Sequence, residues 1–172
     1  MSDIDDRAVI ETQIGRPLRA DSEVVARCHL GLPVVVRVPP HLDDGTPFPT
    51  RYWLTCPLAT TRIARLESAG GVKRVENKAE VDIGFAAGLE RAHLAYAAER
   101  DAAITNTTAP KPSGGVAGSA RGVKCLHAHY AHHAAGGDNP VGDLVAQWIE
   151  PLDCVVPCVL DGERNPRWVN RP

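Results

Sequence analysis

The sequence predicts an α+β fold in which a small antiparallel three-stranded sheet is packed by four to five helices. Runs of β-branched residues are concentrated in the first third of the chain, whereas apolar residues recur at helical spacing after residue 57. The length of 172 residues, with 44% hydrophobic and 23% charged side chains, is typical of one globular domain. We therefore expect a single domain over residues 1–172.

The predicted strands come early in the chain, after a short helix expected over residues 5–14. Two β-branched runs, residues 24–27 and 33–38, are separated by five residues, which predicts a β-hairpin. A proline-rich loop follows, and residues 51–55 are expected to form the third strand.

The predicted helices follow the strands. Residues 58–69 form a helical pattern that ends at Gly70-Gly71, and two shorter helices are expected over 125–135 and 142–150. Residues 83–103 form the longest helix, with charged side chains, Arg100 among them, expected on the solvent face. Its core stripe comprises Phe85, Leu89, Ala92, Tyr96 and Ala103.

Two segments lack a strong pattern. Residues 105–122 are rich in Thr, Pro, Ser and Gly, which predicts a flexible loop. The tail, residues 151–172, is expected to add a short strand near residues 154–160 before a polar end.

Charge and cysteine content limit the classes of partner and compartment. A net charge of −2 and a pI near 6.4 provide no overall positive field, so nucleic acid is not an expected partner. No apolar run is long enough to span a membrane, and the acidic start at residues 1–6 is unlike a secretory signal. We expect a cytoplasmic protein whose five cysteines are reduced thiols, metal ligands or core residues.

Residues 124–133 hold one cysteine and four of the seven histidines, a density typical of metal-binding segments. On a helix Cys125, His129 and His132 would share one face. His129 and His133 have the spacing of a zinc-protease histidine pair, but Tyr130 stands where such a protease has its catalytic glutamate. That route to proteolysis is therefore excluded.

Strand topology predicts that two further thiols approach each other. In a simple meander, Cys28 after the first strand and Cys56 after the third lie at the same edge, about 10 Å apart across the middle strand, or about 5 Å apart if the two strands are neighbours. Docking the Cys125 helix at that edge would complete a site of sulfur and imidazole ligands, which zinc prefers. The competing interpretation is that each thiol packs in the core and that the histidines form a solvated helix face.

Several short motifs together resemble the actinobacterial family called domain of unknown function 501, over residues 14–150. The tail after Pro151 departs from this family. The motifs are Arg27-Cys28, Gly31-Leu32-Pro33, Asp44-Gly45-Thr46-Pro47-Phe48-Pro49-Thr50, Tyr52-Trp53-Leu54-Thr55-Cys56-Pro57, Arg91-Ala92-His93, Lys124-Cys125-Leu126-His127, Ala131-His132 and Asn139-Pro140-Val141-Gly142-Asp143.

The resemblance implies a ligand set and a cellular context. Cys28, Cys56, Cys125, His127 and His132 match the family motifs and are the expected metal ligands, whereas His129 and His133 look like additions. Members are often encoded beside a septum initiator, an enolase and an exopolyphosphatase. This association implies a cytoplasmic housekeeping role linked to cell division or polyphosphate metabolism.

Two functions follow from these expectations. The first is a binding protein in which a structural zinc ties the sheet edge to the histidine-rich helix and the loop at residues 43–50 meets a protein partner. The alternative is a metal-dependent hydrolase of a phosphorylated or acyl substrate, with His93, Lys124 or His132 as acid, base or anion contact. Four protein ligands favour the first function, and three ligands plus water favour the second. A metal-free interaction module is the third option.

Overall fold

The computed structural model describes residues 5–171, so the first four residues of the predicted acidic start lie outside the described part. Within it the chain forms six helices and five short strands. These are α1 (Asp6–Ile14), β1 (Glu23–Arg27), β2 (Pro33–Arg37), β3 (Tyr52–Leu54), α2 (Pro57–Ser68), α3 (Gly71–Val81), α4 (Ile83–Ala102), α5 (Leu126–Ala134), α6 (Pro140–Ile149), β4 (Val159–Leu160) and β5 (Glu163–Arg164).

The three-stranded sheet is antiparallel, as the sequence predicts, and of the two strand orders considered it has the meander. Its order is β1-β2-β3, and Val36 of β2 lies opposite Val24 of β1 and Trp53 of β3. The register of β1 against β2 shifts on both sides of Ala26, where the ladder is irregular. The α+β class and the predicted hairpin are therefore confirmed.

The main core forms where β2 and β3 pack against the helices. Val35, Ile63 and Tyr96 are completely buried in it, together with Leu126 of α5 and Val145 of α6. Residues with this degree of burial each contribute about 1.5–3 kcal/mol relative to exposure. Because α5 contacts β3, α2 and α6, it is the helix that the other elements surround.

Helix α3 was not predicted. Gly70 has a φ of +83°, a left-handed conformation that turns the chain after α2. A new helix, α3, then begins directly at Gly71 where no element is predicted. Val75 is the side chain that α3 buries in the core. One buried side chain gives little apolar periodicity, so the sequence pattern does not reveal this helix.

Arg100 is placed differently from the sequence-based expectation. It is 1% exposed and not on the solvent face of α4, because it continues the stripe of Leu89, Ala92 and Tyr96. Its guanidinium donates to the carbonyl of Gly114 at 2.6 Å, with longer contacts to two further carbonyls, and pairs with Asp101 at 2.8 Å. Burial of this charge is thus compensated by hydrogen bonds and an ion pair.

The segment at residues 105–122 is attached to the core in its second half. It contains a 3-10 turn at Val116–Gly118, and Val116 is completely buried. His93 of α4 accepts from the Val116 amide at 3.1 Å and contacts the Gly122 carbonyl at 2.9 Å. Flexibility of the segment as a whole stays a prediction.

The tail folds back onto α1. The two-stranded hairpin of β4 and β5 packs beside it, and the Thr12 hydroxyl donates to the Gly162 carbonyl at 2.6 Å. Cys158 and Val159 are buried in a small cluster with Val9 and Leu32. In the described residues, no helix combines the length and the apolar character needed to cross a membrane.

Replacing Arg100 tests the buried guanidinium. Arg100→Ala is expected to lower the free energy of unfolding by about 3 kcal/mol, because buried carbonyls lose a charged donor. Urea denaturation measures this change. The exposed Arg91→Ala on the same helix is the control, with an expected change within about 0.5 kcal/mol. Equal effects of the two substitutions would contradict the role assigned to Arg100.

Candidate functional site

The candidate site forms where the end of α2 meets the start of α5. Cys125 is the N-cap residue of α5, and the first helical amide, that of Leu126, donates to Glu67 Oε1 at 2.6 Å. Free amides at a helix N-terminus carry partial positive charge and attract a carboxylate. Glu67 therefore caps α5 from the neighbouring helix.

His127 lies in the first turn of α5 and faces the same carboxylate. Its Nδ1 lies 3.2 Å from Glu67 Oε1, and its Nε2 lies 3.1 Å from the carbonyl oxygen of Thr60. Both neighbours are acceptors. With the ring proton on Nδ1, His127 would donate to Glu67. With the proton on Nε2, it would donate to Thr60, and the lone pair on Nδ1 would then face an anionic oxygen, an arrangement that a metal ion between the two atoms would stabilise.

Cys125 completes a three-residue group. One ligand atom each from Glu67, Cys125 and His127 lies within 4.8 Å of the others, and all three residues are partly buried. Burial raises the pKa of the Cys125 thiol, while the amides of Ala128 and His127 and the charge of Lys124 act in the opposite direction. Sulfur, imidazole and carboxylate are all ligands that zinc accepts. Among the described residues this is the group whose spacing fits a metal ion.

A cleft of about 380 Å³ opens beside this group. Cys125 and His127 form part of its wall, so a metal held there would border the cleft. The rest of the wall is mainly apolar with a few polar groups, a composition common in small-ligand sites. It includes Gln13, Ile14, Arg16, Tyr52, Trp53, Leu54, Pro57 and Ala128.

The structure distributes the five sequence-predicted ligands over three places. Cys125 and His127 come together at the start of α5. Cys28 and Cys56 lie at one end of the sheet, since they follow β1 and β3 of the antiparallel meander. His132 lies in the core, where it stacks on the Tyr52 ring with centroids 5.7 Å apart.

His132 and His129 are held in the core by one amide side chain. Asn139 caps α6 by accepting from the amides of Val141 and Gly142 through Oδ1, and its Nδ2 lies 3.1 Å from His132 Nδ1. The same side chain contacts His129 Nδ1. Burial lowers the pKa of each histidine to about 4. Both rings are therefore neutral packing residues at neutral pH.

The two residues predicted to be catalytic lie outside the metal group. Both ring nitrogens of His93 contact the backbone of the 116–122 segment, as described above. Lys124 is exposed and precedes Cys125, whose thiol pKa its charge lowers.

Sequence reasoning missed Glu67. Its position near the end of a predicted helix carries no ligand motif, and only the packing of α2 on α5 brings it to His127. The one available signal is that Cys125-Leu126-His127 begins a helix without an acidic residue in its first turn, so the capping charge has to come from elsewhere.

The buried histidines predict a loss of stability in mild acid. In the unfolded chain they titrate near pH 6.5, so between about pH 6.5 and 4 the unfolded state binds more protons and stability falls as the pH is lowered. We expect about 2 kcal/mol per histidine to be lost between pH 6.5 and 5, measured by urea denaturation. His129→Leu should reduce this dependence, whereas His133→Gln, on the more exposed face of α5, should leave it intact. An unfolding free energy independent of pH in this window would refute the assignment.

Comparison with known proteins identifies a family but no characterised relative. The family model described as protein of unknown function (DUF501) matches residues 24–147, which include β1 to β3 and α2 to α5 and reach into α6. Neither the curated proteins nor the solved structures include a match to the chain. Because the matched region covers most of the chain, the protein belongs to the DUF501 family, whose function is unknown.

Proposed function

We propose that this protein binds zinc through Glu67, Cys125 and His127, and that the bound zinc coordinates a small molecule in the adjoining cleft. The observation that carries the proposal is the contact of 3.2 Å between His127 Nδ1 and Glu67 Oε1. These two atoms would repel each other when the ring proton is on Nε2, and a metal ion between them removes the repulsion.

The environment of His127 supports coordination through Nδ1. Metal-bound histidines commonly donate their other ring N–H to a backbone carbonyl or a carboxylate, which fixes the tautomer and the ring orientation. Thr60 supplies such a carbonyl at 3.1 Å from Nε2. The ligand is thus already oriented by α2 before a metal arrives.

Three protein ligands leave a coordination position for water or for a ligand. The cleft next to Cys125 and His127 provides room for such a ligand, and its wall is largely apolar. Arg16 extends over the Trp53 ring, 5.4 Å from its centroid, and brings a positive charge to the cleft. We infer a small ligand with an apolar body and an anionic group that reaches the metal.

Metal-dependent hydrolysis is the second candidate function, and the number of ligands favours it. A zinc ion with three protein ligands can lower the pKa of bound water and act as a Lewis acid. The substrate would be a phosphorylated or acyl compound that fits the cleft. His93 and Lys124 take no part in this proposal, since neither belongs to the cleft wall. A protein partner, a link to cell division and a cytoplasmic location stay predictions.

Glu67→Gln tests the metal ligand with little change in shape. The amide oxygen can still accept from the Leu126 amide, but it loses the negative charge that a divalent ion needs. We expect zinc affinity, measured by competition with a chromophoric chelator, to fall at least about tenfold. Glu80→Gln, an exposed carboxylate on α3, is the matched control and should not change the affinity. Equal affinity in wild type and Glu67→Gln would overturn the proposed site.

Zinc affinity at this site is expected to rise with pH. Burial keeps the Cys125 thiol protonated in the metal-free protein, so binding must release that proton. The affinity should therefore increase about tenfold per pH unit between pH 6 and 8 for each proton released. Cys125→Ser should weaken binding and flatten this slope. A wild-type affinity that is independent of pH would contradict thiolate coordination.

Hydrolysis is tested separately with zinc-loaded protein and two reporter compounds, a nitrophenyl phosphate and a nitrophenyl acetate. Turnover that is lost in Glu67→Gln and kept in Glu80→Gln would favour the enzyme. Zinc binding without turnover of either reporter would leave ligand binding as the supported function.

A further inference from the structure

Four of the five cysteines come together at one end of the sheet, away from the metal group described above. Cys28 follows β1 and Cys56 follows β3, and the two flank the start of β2 from opposite sides. The Cys28 amide donates to the Leu32 carbonyl at 2.9 Å, and the Cys56 amide lies 3.4 Å from the Val34 carbonyl. Only Pro33 separates these two acceptors along β2.

The tail brings Cys158 to the gap between these two cysteines. The side-chain amide of Gln13 donates to the Pro33 carbonyl at 2.9 Å and contacts Cys158 Sγ at 3.6 Å. Cys158 therefore lies over the start of β2. It packs in the same apolar cluster as Cys28, and it is close enough to Cys56 for each thiolate to disfavour the other.

Cys154, also in the tail, lies beside the β1–β2 turn at the same end of the sheet. Its carbonyl lies 2.9 Å from His29 Nε2, next to Cys28 in the chain. Trp168, which packs against the same two apolar clusters as Cys28, donates its indole N–H to Cys154 Sγ at 3.3 Å. The four thiols thus form one group, which we name the tail thiol cluster: Cys28, Cys56, Cys154 and Cys158.

Hydrogen-bond donors and a helix N-terminus lie against three sulfurs of this cluster. Burial, with smaller contributions from Cys158 and Cys154, raises the pKa of the Cys56 thiol to about 11. Yet N–H groups of Gln13 and Trp168 point at two of the sulfurs, and Cys56 occupies the N-cap of α2, where partial positive charge favours an anion. Neutral thiols accept hydrogen bonds weakly, whereas metal-bound thiolates are regularly supported by such donors.

We propose that the tail thiol cluster binds a second zinc ion as a structural tetrathiolate site that locks the tail to the sheet. Four sulfur ligands are typical of closed structural zinc sites, and thiolate ligands select soft or borderline ions. The ion would be bound by two ligands from the sheet end and two from the tail, which explains why the tail carries a Cys-x-x-x-Cys pair.

Zinc would draw the tail closer to the sheet. A zinc–sulfur distance of about 2.3 Å requires sulfurs about 4 Å apart, and no three of the four sulfurs are within 4.8 Å of one another in the described residues. The two ends of the connecting segment are anchored: Arg62 donates to the Pro151 carbonyl and to Asp153, and β4 begins at Val159. Between them, residues 154–158 contain no helix or strand, so the closure that we propose would be a movement of this segment.

The test counts zinc in the full chain, purified under reducing conditions without chelators, by plasma mass spectrometry. The wild type is expected to hold two zinc ions per chain, Cys125→Ser one, and Cys158→Ser one. Because Cys125→Ser removes the first site alone, the zinc it keeps reports the tail thiol cluster. One zinc in the wild type and none in Cys125→Ser would overturn the second site and leave the first intact.

Cobalt substitution makes the test independent of whether Cys158→Ser folds. Cys125→Ser loaded with Co²⁺ should show intense sulfur-to-cobalt charge transfer and the visible bands of a tetrahedral tetrathiolate. Zinc should also slow proteolysis within residues 150–158 in this variant. Octahedral cobalt spectra, or free-thiol titration that finds the four cysteines paired as disulfides in metal-free protein, would overturn the proposal.

Discussion

The candidate site depends on the hydrogen bond between the Glu67 carboxylate, which comes from α2, and the first amide of α5. The carboxylate neutralises the amide end of α5 and sets the position at which that helix begins, with Cys125 just before the first turn and His127 within it. The rest of α5 then follows in register, so that Leu126 and His129 enter the core. A helix that began elsewhere would turn these side chains to other faces.

Buried polar contacts elsewhere in the fold connect the helices to one another and to a loop. Asn139 joins the end of α5 to the start of α6, and Arg100 and His93 attach the loop around Val116 to α4. Arg100 and His93 are satisfied by backbone groups of that loop, whereas Asn139 accepts from two amides of α6 and contacts two histidine rings. Such contacts fix a loop that apolar packing alone would leave undetermined, and that loop supplies Ala117 to the cleft wall.

Local pattern predicts most of the elements, because strand and helix periodicity are properties of neighbouring residues. The pairing of the first two strands follows from the hairpin spacing, whereas the place of the third strand beside β2, which sets the separation of Cys28 and Cys56, comes from the fold. The sequence does not reveal which face of α5 packs in the core. Helical spacing therefore predicts one shared face for Cys125 and His132, whereas in the fold Cys125 borders the cleft and His132 packs on Tyr52. The sequence predicts Arg100 on the solvent face because charged side chains are usually exposed, whereas in the fold it is buried. Glu67 reaches the site only through the packing of α2 on α5, which the sequence does not show.

Anomalous diffraction at the zinc edge, from crystals of the full chain grown with zinc, tests the metal assignment at Glu67, Cys125 and His127 most directly. The account predicts a peak about 2.3 Å from Cys125 Sγ and about 2.1 Å from His127 Nδ1, with Glu67 as the third protein ligand. Crystals that show no peak there, with Glu67 and His127 still in hydrogen-bond contact, would contradict it.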